Sequence, residues 1–162
     1  MKQPVLTFTV GVPGSGKSTL ARQLIGEGSV QISKDELRTQ LFGSKHRYWR
    51  LWEENRMSVE PVLEAAFHHL IDGLMSVRSD IVLSNTNLRW CDVEKPLEFA
   101  NSHGYRVRAI VLPRSLDELL KRNEMRPGED WLRPQDIRLY HDRFEDPEAW
   151  WRHFPGVEVL FR

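Results

Sequence analysis

The sequence predicts the α/β class, a parallel β-sheet sandwiched by helices. Two observations carry this. Apolar, β-rich segments alternate with helical ones along the chain, as a parallel sheet with crossover helices requires. The first of these segments also runs straight into a glycine loop that opens a helix.

Val5–Val10 reads as a buried strand, and Lys17–Ile25 as a helix closed by Gly26. Ser29–Ile32 is a short second strand, and a helix near Asp35–Leu41 stops at Gly43. From Ser58 to Met75 the positions Leu63, Phe67, Leu70, Ile71 and Leu74 share one helical face. Pro61 is tolerable only in the first turn of that helix. Ile81–Leu83 is a third strand, a further helix ends near Gly104, and Val107–Leu112 is a fourth strand. Ser115–Glu124 is helical with Ser115 as its N-cap. Arg126–Pro134 is a loop with Pro134 suited to start the next helix, and Val157–Phe161 is a closing strand. Trp150, Trp151 and Phe154 read as packing residues.

At 162 residues the chain has the size of one domain, and no repeat, low-complexity tract or Ser/Gly linker divides residues 1–162. Such a length supports a core without disulfides or structural metal. Cys91 is the one cysteine, which excludes an internal disulfide and a cysteine-based zinc cluster. Lys+Arg and Asp+Glu balance at 23 each, which excludes a coat of positive charge but leaves room for a local basic stripe. No segment has the length and apolarity of a membrane span or a signal peptide, so the expected location is the cytoplasm.

Chemistry enters at Gly11-Val12-Pro13-Gly14-Ser15-Gly16-Lys17-Ser18-Thr19, which matches G-x-x-x-x-G-K-[ST] between a strand and a helix. Glycines there let backbone N–H groups turn around phosphate oxygens at a helix N-terminus. Lys17 is placed for the β- and γ-phosphates of a nucleoside triphosphate and the Ser18 hydroxyl for Mg²⁺. The third strand ends Ser84-Asn85 without the acidic pair of ring ATPases, and no N-K-x-D guanine reader occurs. Those absences favour a kinase of small molecules or nucleic acids over a motor or a GTPase.

Asp35 and Arg38 lie one helical turn apart after the second strand and share a face. A carboxylate there can accept the proton of an acceptor hydroxyl, and the arginine can hold a neighbouring phosphate. The bland alternative is an ordinary surface ion pair. Arg122, Arg126 and Arg133 surround the Pro127-Gly128 loop, which reads as a mobile, arginine-bearing lid over ATP. The competing reading is a solvated basic helix end.

Four words in this order resemble the kinase domains of bacteriophage-type polynucleotide 5′-kinases and, more widely, the zeta-toxin-like branch of P-loop kinases. They are Gly11–Thr19, Ile32–Arg38, the run Ser84-Asn85-Thr86-Asn87-Leu88, and Lys121-Arg122-Asn123 with Arg126. The resemblance implies ATP and Mg²⁺ as cofactors, bound by the glycine loop with Arg122 and Arg126. It makes Asp35 the general base, Arg38 the grip on the acceptor's phosphate, and Asn85 and Asn87 part of the acceptor site. It also places the third strand beside the first, with Asn85 near Gly11–Ser18. The family pattern has aspartate where this chain carries Asn85.

Lys45-His46-Arg47-Tyr48-Trp49-Arg50, with Trp52, mixes cations and aromatics fit for phosphates and a base, or equally for a helix start with buried rings. The expected acceptor is a hydroxyl on DNA or RNA, first the 5′-hydroxyl end of a polynucleotide. Asn85 and the lack of an accompanying phosphatase or ligase module keep a second acceptor open, a hydroxymethylated base of the 5-hydroxymethyluracil type within phage DNA. The neutral net charge keeps a small-metabolite kinase in view, and an idle ATP-dependent switch is the alternative from another class.

Overall fold

The computed structural model describes residues 2–26 and 28–162. Five parallel strands, β1 (Val5–Val10), β2 (Ser29–Ile32), β3 (Asp80–Leu83), β4 (Arg106–Val111) and β5 (Val157–Phe161), form one sheet in the order β2-β3-β1-β4-β5. The third strand lies beside the first, as expected. Among the described residues seven helices connect and cover them: α1 (Lys17–Leu24), α2 (Lys34–Phe42), α3 (Lys45–Ser76), α4 (Trp90–Ser102), α5 (Leu116–Glu124), α6 (Pro134–Glu145) and α7 (Trp150–His153).

Register decides which side chains share a face. Leu6 and Phe8 pair with Ile81 and Leu83 on one side and with Val107 and Ala109 on the other, and Val30 and Ile32 extend the row. That face is the main core, closed by Leu63, Phe67, Ile71 and Met75 of α3 and by Val93 and Leu97 of α4. Phe8 meets Trp150 edge to face at 5.2 Å, so the tryptophan pair does serve the core. The opposite face carries Thr7, Thr9, Val82 and Ile110, with α1 lying over β1 and β3 and Ala21 fully buried. An alternation of this kind is hidden in a buried strand, where every residue of β1 loses contact with water.

Two differences from the sequence reading concern α3. The helix begins at Lys45, capped by the Ser44 hydroxyl accepting from Arg47 N at 3.0 Å, rather than at Ser58. Asn55 breaks it with non-helical backbone (φ −155°, ψ 76°), so the second segment starts at Arg56 and Pro61 falls beyond its first turn. Pro61 therefore removes one intrahelical bond, to Met57, a residue largely exposed to water. The short helix α7 also went unread, because only four residues carry it. Among the described residues no helix is long and apolar enough to cross a membrane.

Candidate active site

At the carboxyl ends of β1, β2 and β3 lies a cleft of about 1430 Å³. Parallel sheets of this class open their crevices at that edge. Its floor is the loop between β1 and α1. Gly11 N–H donates to Thr86 O at 3.1 Å, which ties the loop to the segment after β3. A side chain at residue 11 would bring a Cβ within 2.4 Å of Ser15 Oγ and 3.3 Å of Leu112 O, so it would displace the buried Ser15 hydroxyl. Gly16, the residue before α1, has φ +101°, a left-handed conformation that glycine adopts without strain. Val12 is buried in the core and anchors the loop, and its carbonyl accepts from both Ser15 N (3.0 Å) and Lys17 Nζ (2.9 Å).

Lys17 is only 8% exposed. Burial pulls its pKa from 10.5 to about 7; nearby Arg126 pushes the same way and Asp35 opposes. Lys17, Asp35 and Arg126 thus sense one another although they stand on α1, on α2 and beyond α5. Ser18 and Thr19 follow Lys17 at the start of α1, exposed to the cleft.

Helix α2 sets Asp35 in place. Ser33 caps it by accepting from Asp35 N at 3.2 Å, and Gly43 ends it with φ +85°, its N–H returning to Thr39 O at 2.9 Å. Asp35 sits in the first turn, where the helix dipole favours a carboxylate. Arg38 Nη1 donates to Asp35 Oδ1 at 2.6 Å, so the expected shared face is realised as an ion pair that leaves Asp35 more than half exposed. The Arg38 guanidinium lies 5.0 Å over the Tyr48 ring and 4.8 Å over Trp49.

Asn85, following β3, lies across the loop from these groups. Its Oδ1 accepts from Lys34 N at 2.8 Å, which fixes the start of α2, while its buried Nδ2 has no partner among the described residues. Asn87 is 1% exposed, and its Nδ2 donates to the carbonyls of Thr9 (2.9 Å), Leu83 (3.1 Å) and Asn85 (3.2 Å). With its N–H groups spent on backbone carbonyls, Asn87 shapes the floor of the cleft, and its buried Oδ1 has no partner among the described residues.

On the third wall, Arg122 Nη1 donates to Gly14 O at 3.3 Å and Nη2 pairs with Glu118 at 2.7 Å. Asn123 holds the loop after α5 in both directions, giving Nδ2 to Leu132 O (2.6 Å) and taking Leu132 N at Oδ1 (3.1 Å). That clasp presents Arg126 to the cleft, with a buried Nη1 that has no partner among the described residues. Arg133, grouped with these arginines by sequence, instead folds onto Asp136 at 2.8 Å and does not line the cleft. Lys45 pairs with Asp130 of the same loop rather than standing free for phosphate. Sequence reasoning missed that pair, and it missed Trp150, whose indole donates to Asn87 O at 2.8 Å. Neither contact has a local sequence signal.

A family profile described as an AAA domain matches residues 6–147. Over 144 residues, 86% of this chain, 28% are identical to a protein of Autographa californica nuclear polyhedrosis virus assigned as a bifunctional polynucleotide kinase/RNA ligase. The chain spans 20% of that relative's length. A chain of the Pnkp1/Rnl/Hen1 RNA repair complex superposes with a TM-score of 0.72 at 21% identity, over 90% of this chain and 45% of its own. Kti12 of Chaetomium thermophilum, solved with ADP-AlF3, gives 0.68 at 17% identity, over 96% of this chain and 88% of its own. At these identities the two structures establish a common fold.

Proposed function

The chain belongs to the AAA_33 family of AAA domains, and from that premise we propose that it is an ATP-dependent kinase domain whose acceptor is the 5′-hydroxyl end of a polynucleotide. One observation carries the reading: a phosphate loop, a carboxylate flanked by an arginine, and a second arginine from a clasped loop face one cleft. The viral relative's assignment as a polynucleotide kinase supports the choice of acceptor.

The residues present fit a nucleotide. A Cβ at Gly11 would collide with Ser15 Oγ in the glycine cradle, and among the described residues buried donors on Ser15, Asn85 and Arg126 lack partners, as expected where phosphate oxygens complete them. Lys17 and the loop N–H groups would hold the β- and γ-phosphates, Arg122 and Arg126 would brace them, and the exposed Ser18 hydroxyl is the ligand offered to Mg²⁺. ATP bound there with Mg²⁺ supplies an electrophilic phosphoryl group whose charge the metal partly neutralises.

The chain's own groups then divide the work. Arg38 holds the phosphate that neighbours the acceptor hydroxyl, which sets that hydroxyl beside Asp35. Asp35 would take the hydroxyl proton as the acceptor oxygen bonds to the γ-phosphorus and the bond to the departing nucleoside diphosphate breaks. Charge spreading over the transferred oxygens is met by Lys17 and Arg126. Asn85 keeps α2, and with it Asp35, in register with the loop through its bond to Lys34 N.

Labelled ATP with a panel of acceptors tests the proposal. A 5′-hydroxyl oligonucleotide should gain label at its end, and catalytic efficiency should fall steeply with added salt because phosphate contacts release counterions. Label confined to duplexes with hydroxymethylated bases would move the acceptor to the base. Activity on a free sugar or nucleoside, with none on any polymer, would overturn both nucleic-acid readings.

A further inference from the structure

The first segment of α3 presents a row of rings that the phosphoryl-transfer chemistry does not use. Trp49 is 43% exposed, lines the same cleft as Asp35, and stands 5.9 Å from Trp52 with the two indoles edge to face. Cations alternate with the rings: Arg38 lies against Trp49, and Arg56 lies 5.1 Å over Trp52. Of the acidic groups that line the cleft beside these rings, Glu60 pairs with Arg56 at 2.6 Å and Glu64 with Lys34 at 2.5 Å, whereas Glu53 and Glu54, next to Trp52 in sequence and exposed, do not line the cleft. An indole left half open beside paired cations has the composition of a stacking surface for nucleobases, which every base satisfies through its π-face.

We infer that Trp49 and Trp52 form a base-stacking shelf for the strand leading away from the acceptor end, so that the preferred acceptor is single-stranded and longer than one nucleotide. The inference rests on the polynucleotide reading above and deepens it. Its geometry follows from Arg38. The guanidinium that would grip the acceptor's phosphate stands 4.8 Å from the Trp49 ring centroid, less than the span of a nucleotide. A base attached beyond that phosphate is within reach of Trp49, and Trp52 with Arg56 continues the surface. A nucleoside 3′-phosphate carries the hydroxyl and the phosphate but no base beyond them, so it cannot use the shelf.

The experiment compares kcat/KM for 5′-hydroxyl hexathymidylate with that for thymidine 3′-phosphate, and measures binding of 3′-fluorescein hexathymidylate by anisotropy without ATP. The hexamer should be preferred in the wild-type chain. Trp49→Ala should cut the preference about tenfold or more, the usual worth of one stacked base. Trp49→Phe should restore much of it, and Trp52→Ala, whose ring does not stack on Arg38, should lower it as well. Equal losses on both acceptors in Trp49→Ala would mean that the ring serves only to hold Arg38, and would overturn the shelf. A wild-type preference near one would overturn it too while leaving the kinase reading intact. If neither acceptor is phosphorylated yet the hexamer binds and Trp49→Ala abolishes binding, the shelf stands and the proposed reaction falls; absence of binding would overturn the shelf.

Discussion

Lys45 and Asp130 form an ion pair across the cleft, joining the first residue of α3 to the loop that carries Arg126. The acceptor wall and the donor wall are thereby linked outside the glycine loop. Asp130 is about one-third exposed, so the pair is worth at most about 1 kcal/mol. Lys45→Ala should leave the melting temperature nearly unchanged but speed amide exchange over residues 125–132. Exchanging the two residues, with Lys45→Asp and Asp130→Lys together, should slow it again. Unchanged exchange in the single variant would show that Asn123 alone holds the loop.

Lys17→Ala should abolish turnover and weaken ATP binding together, since the ammonium is placed for the donor phosphates. Asp35→Asn should keep ATP affinity while turnover falls roughly 10²–10⁴-fold, the usual worth of a general base. Arg126→Ala should lower kcat more than affinity, because its charge is needed as the phosphoryl group moves. Nucleotide titrations beside single-turnover rates separate these effects. Equal loss of nucleotide binding in the Lys17 and Asp35 variants would assign Asp35 a structural role.

The buried Lys17 ammonium makes stability and binding depend on pH in opposite ways. Folded Lys17 loses its proton near pH 7 and unfolded Lys17 near 10.5. Between those values the unfolded chain binds more protons, so stability rises with pH, and below about 7 the cost of burying the charge is present in full. Denaturant midpoints measured from pH 7 to 9 should therefore climb in the wild type relative to Lys17→Met. Phosphate beside the lysine favours the charged form, so nucleotide binding at pH 8 should take up a proton. Calorimetry in buffers of different ionisation heat reads that uptake, and Lys17→Met should lack it.

Asn85 offers an acceptor to Lys34 N and an unspent donor. Asn85→Asp keeps the acceptor and adds charge at a helix start, so thermal stability should hold or rise slightly. Asn85→Ala should cost about 1 kcal/mol, as loss of a cap does. Circular dichroism melts check both. A destabilised aspartate variant would mean that the Nδ2 donor matters to the fold.

How much of this was legible in the sequence depends on the distance over which each contact acts. The strand of Val5–Val10, the loop to Thr19 and the Ser115 cap are local, and propensity with spacing reveals them. The i,i+3 pair of Asp35 and Arg38 belongs to the same class. Helix α3 was only half legible: its second segment has an apolar stripe, whereas its first faces the cleft with Tyr48, Trp49 and Trp52 and breaks at Asn55 without proline or glycine. The structural part that Asn87 plays was not legible, because bridging Thr9 and Leu83 exists only once β1 and β3 are adjacent. Asn85, by contrast, lies beside the loop because the strand order places it there.

The Trp150 indole bond to Asn87 makes the last helix a keystone for a site to which it contributes no reactive group. Asn87 gathers the ends of β1 and β3, and Trp150 fixes the carbonyl of Asn87. Release of α7 frees that carbonyl and uncovers Phe8 at the centre of the sheet. The phosphate loop should therefore not melt on its own. Denaturation of the carboxyl-terminal segment and loss of the nucleotide cradle are expected to coincide, and a fragment ending at Asp146 would inherit every motif residue yet lack the brace that Trp150 supplies.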